Sequence, residues 1–178
     1  MKNESINPDY VISLDYSMNG GRFFDSNLYA IVFKDKSIKE FIYMPKDYRL
    51  TEFIDVILNK YNRLNYKFIF DNCGAGMGIM DYLKSKDITN YFNINNKKGE
   101  LALYYNKAME EILNFAINSE FDYIKELEFK KLIKEMNNLE VGIRGNRVFF
   151  EFKNISNKNR SRAFCYLQYM AYLYCLAK

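Results

Sequence analysis

The sequence predicts an α/β protein built on a mixed sheet with helices on both faces, and three observations carry that prediction. Apolar runs at residues 10–15, 28–33 and 38–44 are separated by turn chemistry. A segment of helical period at residues 51–62 then leads to a fourth apolar run, 66–71. The second half of the chain is mostly helical in period. At 178 residues, with about half of them apolar, the chain is expected to form one domain, residues 1–178.

The elements follow in order. Gly20-Gly21 and Asp25-Ser26-Asn27 supply the turn between the first two strands. Lys34-Asp35-Lys36-Ser37 is a hairpin-like link to the third, so strands one to three form an antiparallel meander. Pro45 ends it. Leu50, Phe53, Ile54, Ile57, Leu58 and Tyr61 recur at helical spacing. That helix is a crossover, which sets the fourth strand parallel beside the first. Gly74-Ala75-Gly76-Met77-Gly78 opens a helix running to about Lys84, and residues 88–94 read as a fifth strand. Residues 100–117 and 122–136 carry helical apolar stripes. Residues 141–144 and 147–152 flank Gly145-Asn146, a favoured two-residue hairpin turn. Residues 159–176 form a last helix, with Ala163, Phe164, Leu167, Met170, Ala171, Tyr174 and Cys175 on its buried side.

Composition removes several chemistries. The chain has no histidine, which excludes His-ligated zinc and Ser-His or Cys-His nucleophilic pairs. Cys73, Cys165 and Cys175 show no paired-ligand spacing and are expected as reduced thiols. A metal would need oxygen ligands, which favours Mg²⁺, Mn²⁺ or Ca²⁺. No phosphate-loop motif and no apolar run of membrane-spanning length occurs. The polar start, MKNESINPDY, lacks an apolar signal region, so a cytoplasmic protein without membrane association is expected. A net charge of +4 permits a polyanionic partner without requiring one.

The chemistry concentrates in two aspartates. The first run ends on Asp15 and the fourth, KFIFDNCGAG, on Asp71. On parallel neighbours, strands ~4.8 Å apart would bring two carboxylates together at the sheet's C-terminal edge. Such carboxylates repel unless a cation lies between them. Metals held ~3.5–4 Å apart support in-line phosphoryl displacement. Each aspartate also reads as turn chemistry or a helix cap. The Gly74 and Gly76 turn either permits a tight bend or lets backbone approach a phosphate at a helix N-terminus.

These blocks resemble the nuclease domain of the phage terminase large subunit. The acid-ended first strand, the Gly-Gly turn and the LYAIVF strand resemble its first block. FDNCGAGMGIMDYL resembles its second acid, glycine-rich turn and helix, and NKNRSRAFCYLQYMAYL its closing K-D-R segment and helix. The resemblance implies a ribonuclease-H-like fold of strand order 3-2-1-4-5. It implies an endonuclease using two Mg²⁺ or Mn²⁺ ions to cut concatemeric double-stranded DNA during genome packaging, in the host cytoplasm. Its partners would be a terminase ATPase motor, a small subunit or the portal. The motor precedes this domain in the family, and the expectation here is a nuclease domain without it.

One position departs from the pattern. Lys158-Asn159-Arg160 stands where K-D-R is expected, so Asn159 replaces the third acid. Asn keeps a ligating oxygen and loses a charge, so the second metal would bind more weakly. The alternative is therefore an impaired domain that binds DNA or packaging partners without cutting. Glu151 is either a substitute ligand or an outward strand residue. Arg144, Arg147, Lys158, Arg160 and Arg162, with Lys153, are either DNA phosphate contacts or ordinary solvated charges.

Overall fold

A computed structural model describes residues 8–18, 26–44, 48–61, 64–71, 75–94, 101–118, 122–145, 147–152 and 161–176. The strands are β1 (Tyr10–Met18), β2 (Ser26–Lys34), β3 (Ser37–Met44), β4 (Tyr66–Asp71), β5 (Tyr91–Ile94), β6 (Leu139–Arg144) and β7 (Arg147–Phe152). The helices are α1 (Leu50–Tyr61), α2 (Ala75–Ser85), α3 (Tyr105–Asn118), α4 (Tyr123–Asn137) and α5 (Ser161–Leu176). A 3₁₀ turn, Ala102–Tyr104, leads into α3.

The main sheet has the order β3-β2-β1-β4-β5, and β6 and β7 form a separate hairpin. β1, β2 and β3 are an antiparallel meander, while β1–β4 and β4–β5 are parallel. The β2–β3 link turns on Asp35 and Lys36, both at positive φ, the backbone form that suits a two-residue hairpin. α1 makes the crossover from β3 to β4, as a parallel β1–β4 pair requires.

The central strands are covered on both faces. Leu28 through Phe33 are all buried, which is why β2 reads as an unbroken apolar run. On one face Ile12, Leu14, Ala30, Val32, Phe68 and Phe70 meet Phe53, Ile54 and Ile57 of α1 and Ile79 and Leu83 of α2. α1 is apolar on one side because Phe53, Ile54, Ile57 and Tyr61 recur at its period. Glu52 Oε2 accepts the Arg49 N–H at 2.9 Å and satisfies a donor at the helix start. Tyr82 O–H donates to Asp55 Oδ2 at 2.7 Å, tying α2 to α1.

On the opposite face Val11, Tyr29, Ile31, Phe33 and Ile69 pack against α5, which α3 and α4 cover in turn. The rings of Phe33 and Tyr169 stack with centroids 3.6 Å apart. Helix α5 departs from expectation. Every residue from Ser161 to Tyr172 is buried, whereas the sequence predicts a single buried side. A helix between a sheet and two further helices has no solvent face to keep polar. β5 is shorter than the expected strand because Asp87, at positive φ, ends the α2 turn and the chain re-enters the sheet only at Tyr91. No helix among the described residues is long and apolar enough to cross a membrane.

Candidate metal centre

Asp71 is the last residue of β4 and pairs with Ile94 of β5. Asp15 is not the last residue of β1, contrary to expectation. β1 continues to Met18 because its pairing with β2 extends to Met18↔Ser26. Its pairing with β4 stops earlier, at Ser13↔Ile69. Asp15 and Asp71 thus each lie two residues beyond the last β1–β4 pair, and the register continued sets them level. Adjacent strands run ~4.8 Å apart.

Strand alternation decides the face. Asp15 shares the parity of Val11 and Ser13, and Asp71 that of Ile69. Val11 and Ile69 belong to the core under α5. Both aspartates therefore point to the α5 side of the sheet, and both are half-buried. Beneath Asp15, Ser13 Oγ–H donates to Gln168 Oε1 of α5 at 3.1 Å. Cys165 Sγ lies 3.6 Å from the Tyr29 carbonyl oxygen, to which it donates. Burial pushes the Cys165 thiol well above its ordinary value, and the charge of Asp15 adds to the shift. Asp15 is near enough to α5 to act on its side chains.

A buried ion-pair cluster adjoins this edge. Tyr29 sits opposite Asp15 in the β1–β2 register. Its O–H donates to Glu128 Oε2 of α4 at 2.6 Å, and the Arg162 guanidinium lies 4.5 Å over its ring. Arg162 Nε donates to Glu128 Oε2 at 2.8 Å and an η-nitrogen to Glu135 Oε1 at 2.7 Å. Glu135 Oε2 accepts the backbone N–H groups of Arg162 and Ala163 at 2.9 and 3.1 Å. Lys131 completes the cluster, 2.6 Å from Glu128 Oε1. Burial raises the Tyr29 hydroxyl strongly, so it stays a donor. Burial also raises the Glu135 carboxyl, against the pull of Arg162. For Glu128 burial acts upward too, but hydrogen bonds from Lys131, Tyr29 and Arg162 outweigh it and hold the carboxyl low.

Arg162 corrects the sequence reading. The sequence reads it as a surface charge, either a contact to DNA phosphates or an ordinary solvated residue, and it is buried with its donors turned to two carboxylates. Sequence reasoning missed Glu128 and Glu135. The signal was present: the two glutamates stand seven apart within the apolar stripe of Phe129, Leu132 and Met136. An acid on a buried stripe needs a cation, and Arg162 is that cation.

The remaining candidates are distributed as follows. Arg144 is exposed on β6 with its guanidinium 5.3 Å from the Phe149 ring centroid. Arg147 pairs with Arg144, and Glu151 with Glu140, in the hairpin register; the side chains of Arg147 and Glu151 lie outside the described residues. Gly76 falls in the first turn of α2. Gly74, Lys153, Lys158, Asn159 and Arg160 lie outside the described residues. Among the described residues no three His, Cys, Asp or Glu side chains form a group able to hold a metal. What the described chain offers is two half-buried carboxylates on one face, hard oxygen donors that suit Mg²⁺ or Mn²⁺.

No protein-family model matches the chain, and no curated protein matches it.

Proposed function

We propose that this chain is a divalent-metal-dependent DNA endonuclease domain of ribonuclease-H-like fold and phage terminase large-subunit type. It would cut concatemeric viral DNA during packaging. The observation that carries the reading is the shared face and level of Asp15 and Asp71 on adjacent parallel strands. The strand order β3-β2-β1-β4-β5 supports it, as do the motif resemblances around both acids.

Asp15 and Asp71 are the residues that would hold Mg²⁺ or Mn²⁺. A metal held there would supply a lowered pKa for an attacking water and stabilisation of a leaving oxygen. The chain's own part is positional. β1 and β4 fix the two carboxylates on backbone that pairs on its outer side, Asp15 with Tyr29 of β2 and Asp71 with Ile94 of β5, and Ser13–Gln168 and Tyr29 brace the floor beneath Asp15. Asn159 and Glu151 are the candidates for a further oxygen ligand. Terminase motor, small subunit and portal are the partners this reading implies, and the host cytoplasm is the compartment.

The neutral Asn159 favours a second reading, a domain that binds DNA or packaging partners without cutting. A plasmid-nicking assay with Mn²⁺ separates the two. The endonuclease reading expects nicking by the wild type and none by Asp15→Ala. Nicking by Asp15→Ala at the wild-type rate defeats it. An inert wild type that gains activity as Asn159→Asp supports the second reading.

A further inference from the structure

The β6–β7 ribbon has an open edge. Among the described residues β6 pairs with β7 alone, whereas the 3₁₀ turn Ala102–Tyr104 packs against β7. Glu140, Val141, Ile143 and Arg144 are all exposed, Val141 at 37% and Ile143 at 72%. The hairpin closes on the pair Arg144–Arg147 across a two-residue turn. A closing pair of that kind is hydrogen-bonded and the ladder alternates from it, so Glu140, Gly142 and Arg144 turn their backbone groups to β7. Val141 and Ile143 turn theirs outward.

The main sheet protects its own edges, and β6 does not. In the β2–β3 register Val32 pairs with Glu40 and Phe33 with Ile38, which leaves Lys39 as an extra, exposed residue. A charged bulge blocks the addition of another strand. At the other edge β5 is only four residues long. β6, by contrast, keeps an unbroken register with β7 and holds no proline or lysine. Its two charges, Glu140 and Arg144, are opposite in sign and equally far from Gly142.

That symmetry makes the edge complementary to itself. Laid antiparallel to a second β6 about a two-fold axis at Gly142, the strand sets Glu140 against Arg144 of the other copy, and Arg144 against its Glu140. On the opposite face Val141 meets Ile143 of the copy, and Ile143 its Val141. These are the residues with outward backbone groups, so each such pair closes two N–H···O bonds. The two glycines meet on the axis, where no side chain obstructs the approach. Sliding the copy by two residues either way separates both charge pairs, so charge selects this register. We propose that β6 is a dimerisation edge, at which two copies of this chain pair about Gly142 into a four-stranded sheet, β7-β6-β6-β7. Arg144 already lies along the Phe149 ring, so ordering it costs little further freedom. So short a pairing buries less than a standard interface, and the dimer is a weak one, with a dissociation constant on the order of 10 µM. It goes beyond the endonuclease reading. It brings two Asp15–Asp71 edges into one particle, one for each strand of a duplex, and needs neither metal nor DNA.

Sedimentation velocity without metal or DNA, from well below to well above that concentration, tests it. Glu140→Arg and Arg144→Glu each make both cross-copy pairs repulsive, and each should weaken dimerisation about tenfold. The two variants mixed should recover the wild-type affinity as a heterodimer, and so should the exchange Glu140→Arg/Arg144→Glu within one chain. Both positions are exposed, and unchanged circular dichroism confirms that the variants fold. Amide exchange reads the backbone. Protection at Val141 and Ile143 should rise with protein concentration, while Gly142 and Arg144, already bonded to β7, stay as they were. A wild type that remains monomeric throughout overturns the proposal. So does a dimer that neither reversal weakens. A dimer that Ile143→Ala abolishes without any gain in amide protection stacks its apolar faces instead, and that also overturns edge pairing. A wild type that dimerises in this way but never nicks leaves the inference standing and removes the endonuclease. Nicking by a strictly monomeric wild type does the reverse.

Discussion

Glu135 caps a helix to which it does not belong. Its carboxylate reaches from α4 to the first turn of α5, accepting two backbone N–H groups and the side chain of Arg162. α5 thus gains at its positive end a charge its own sequence does not supply. Glu135→Ala should cost about 3–5 kcal/mol in urea denaturation, because it leaves the buried Arg162 guanidinium with Glu128 alone and strands two buried backbone donors. Glu135→Gln keeps the acceptor oxygen and should cost less. Arg162→Met should cost as much as Glu135→Ala, since two buried carboxylates then face each other.

The two glutamates should move acid stability in opposite directions. Glu128 is held low, so its contribution is present above the ordinary carboxylate range and lost as pH falls through its folded value. Glu135 is pushed up, so its contribution is present below that range and lost as pH rises through its raised value. Urea midpoints across pH should therefore show a shallower acid loss in Glu128→Gln. In Glu135→Gln the decline on the rising side should disappear.

Ser13 and Gln168 should be strongly coupled. Ser13→Ala leaves the buried Gln168 oxygen without its donor and should cost about 1–3 kcal/mol. Gln168→Met on top of it removes the orphan and should restore most of the loss. Strict additivity in this double-mutant cycle would mean that the hydrogen bond contributes nothing.

Mn²⁺ should stabilise the wild type against heat. At a concentration 100 times its dissociation constant, a single ion adds about 2.7 kcal/mol, or about 5–10 °C for a chain of this size. Asp71→Asn should lose that increment and stay folded in its absence. An equal shift in wild type and variant would place the ion elsewhere.

Much of the architecture was legible in the sequence because it is written in local periods. The bounds of β4 and β7, the α1 crossover and the antiparallel meander follow from apolar runs and turn residues. Asp15 and Asp71 were legible as acids ending or interrupting buried runs, and strand alternation brought them to one face. The setting of α5 was not legible. Tyr166, Tyr169, Tyr172 and Gln168 are residues that a half-exposed helix tolerates, and it is the sheet that takes them up: Gln168 meets Ser13 of β1, Tyr166 and Tyr169 meet Phe33 of β2, and Tyr172 meets Phe92 of β5. Arg162 was misread for the same reason: a basic residue at a helix start looks solvated until its partners, 27 and 34 positions earlier, are brought to it. β1 outran its expected end because a neighbouring strand, not its own composition, set its length.

The sealed position of Cys165 has a practical consequence. Its sulfhydryl is wholly enclosed between α5 and β2 and resists ionisation there. An alkylating reagent can reach it only when that helix lifts from the sheet. With Cys73 and Cys175 replaced by serine, the labelling rate of this one sulfur becomes a clock for breathing at the floor of the acidic edge.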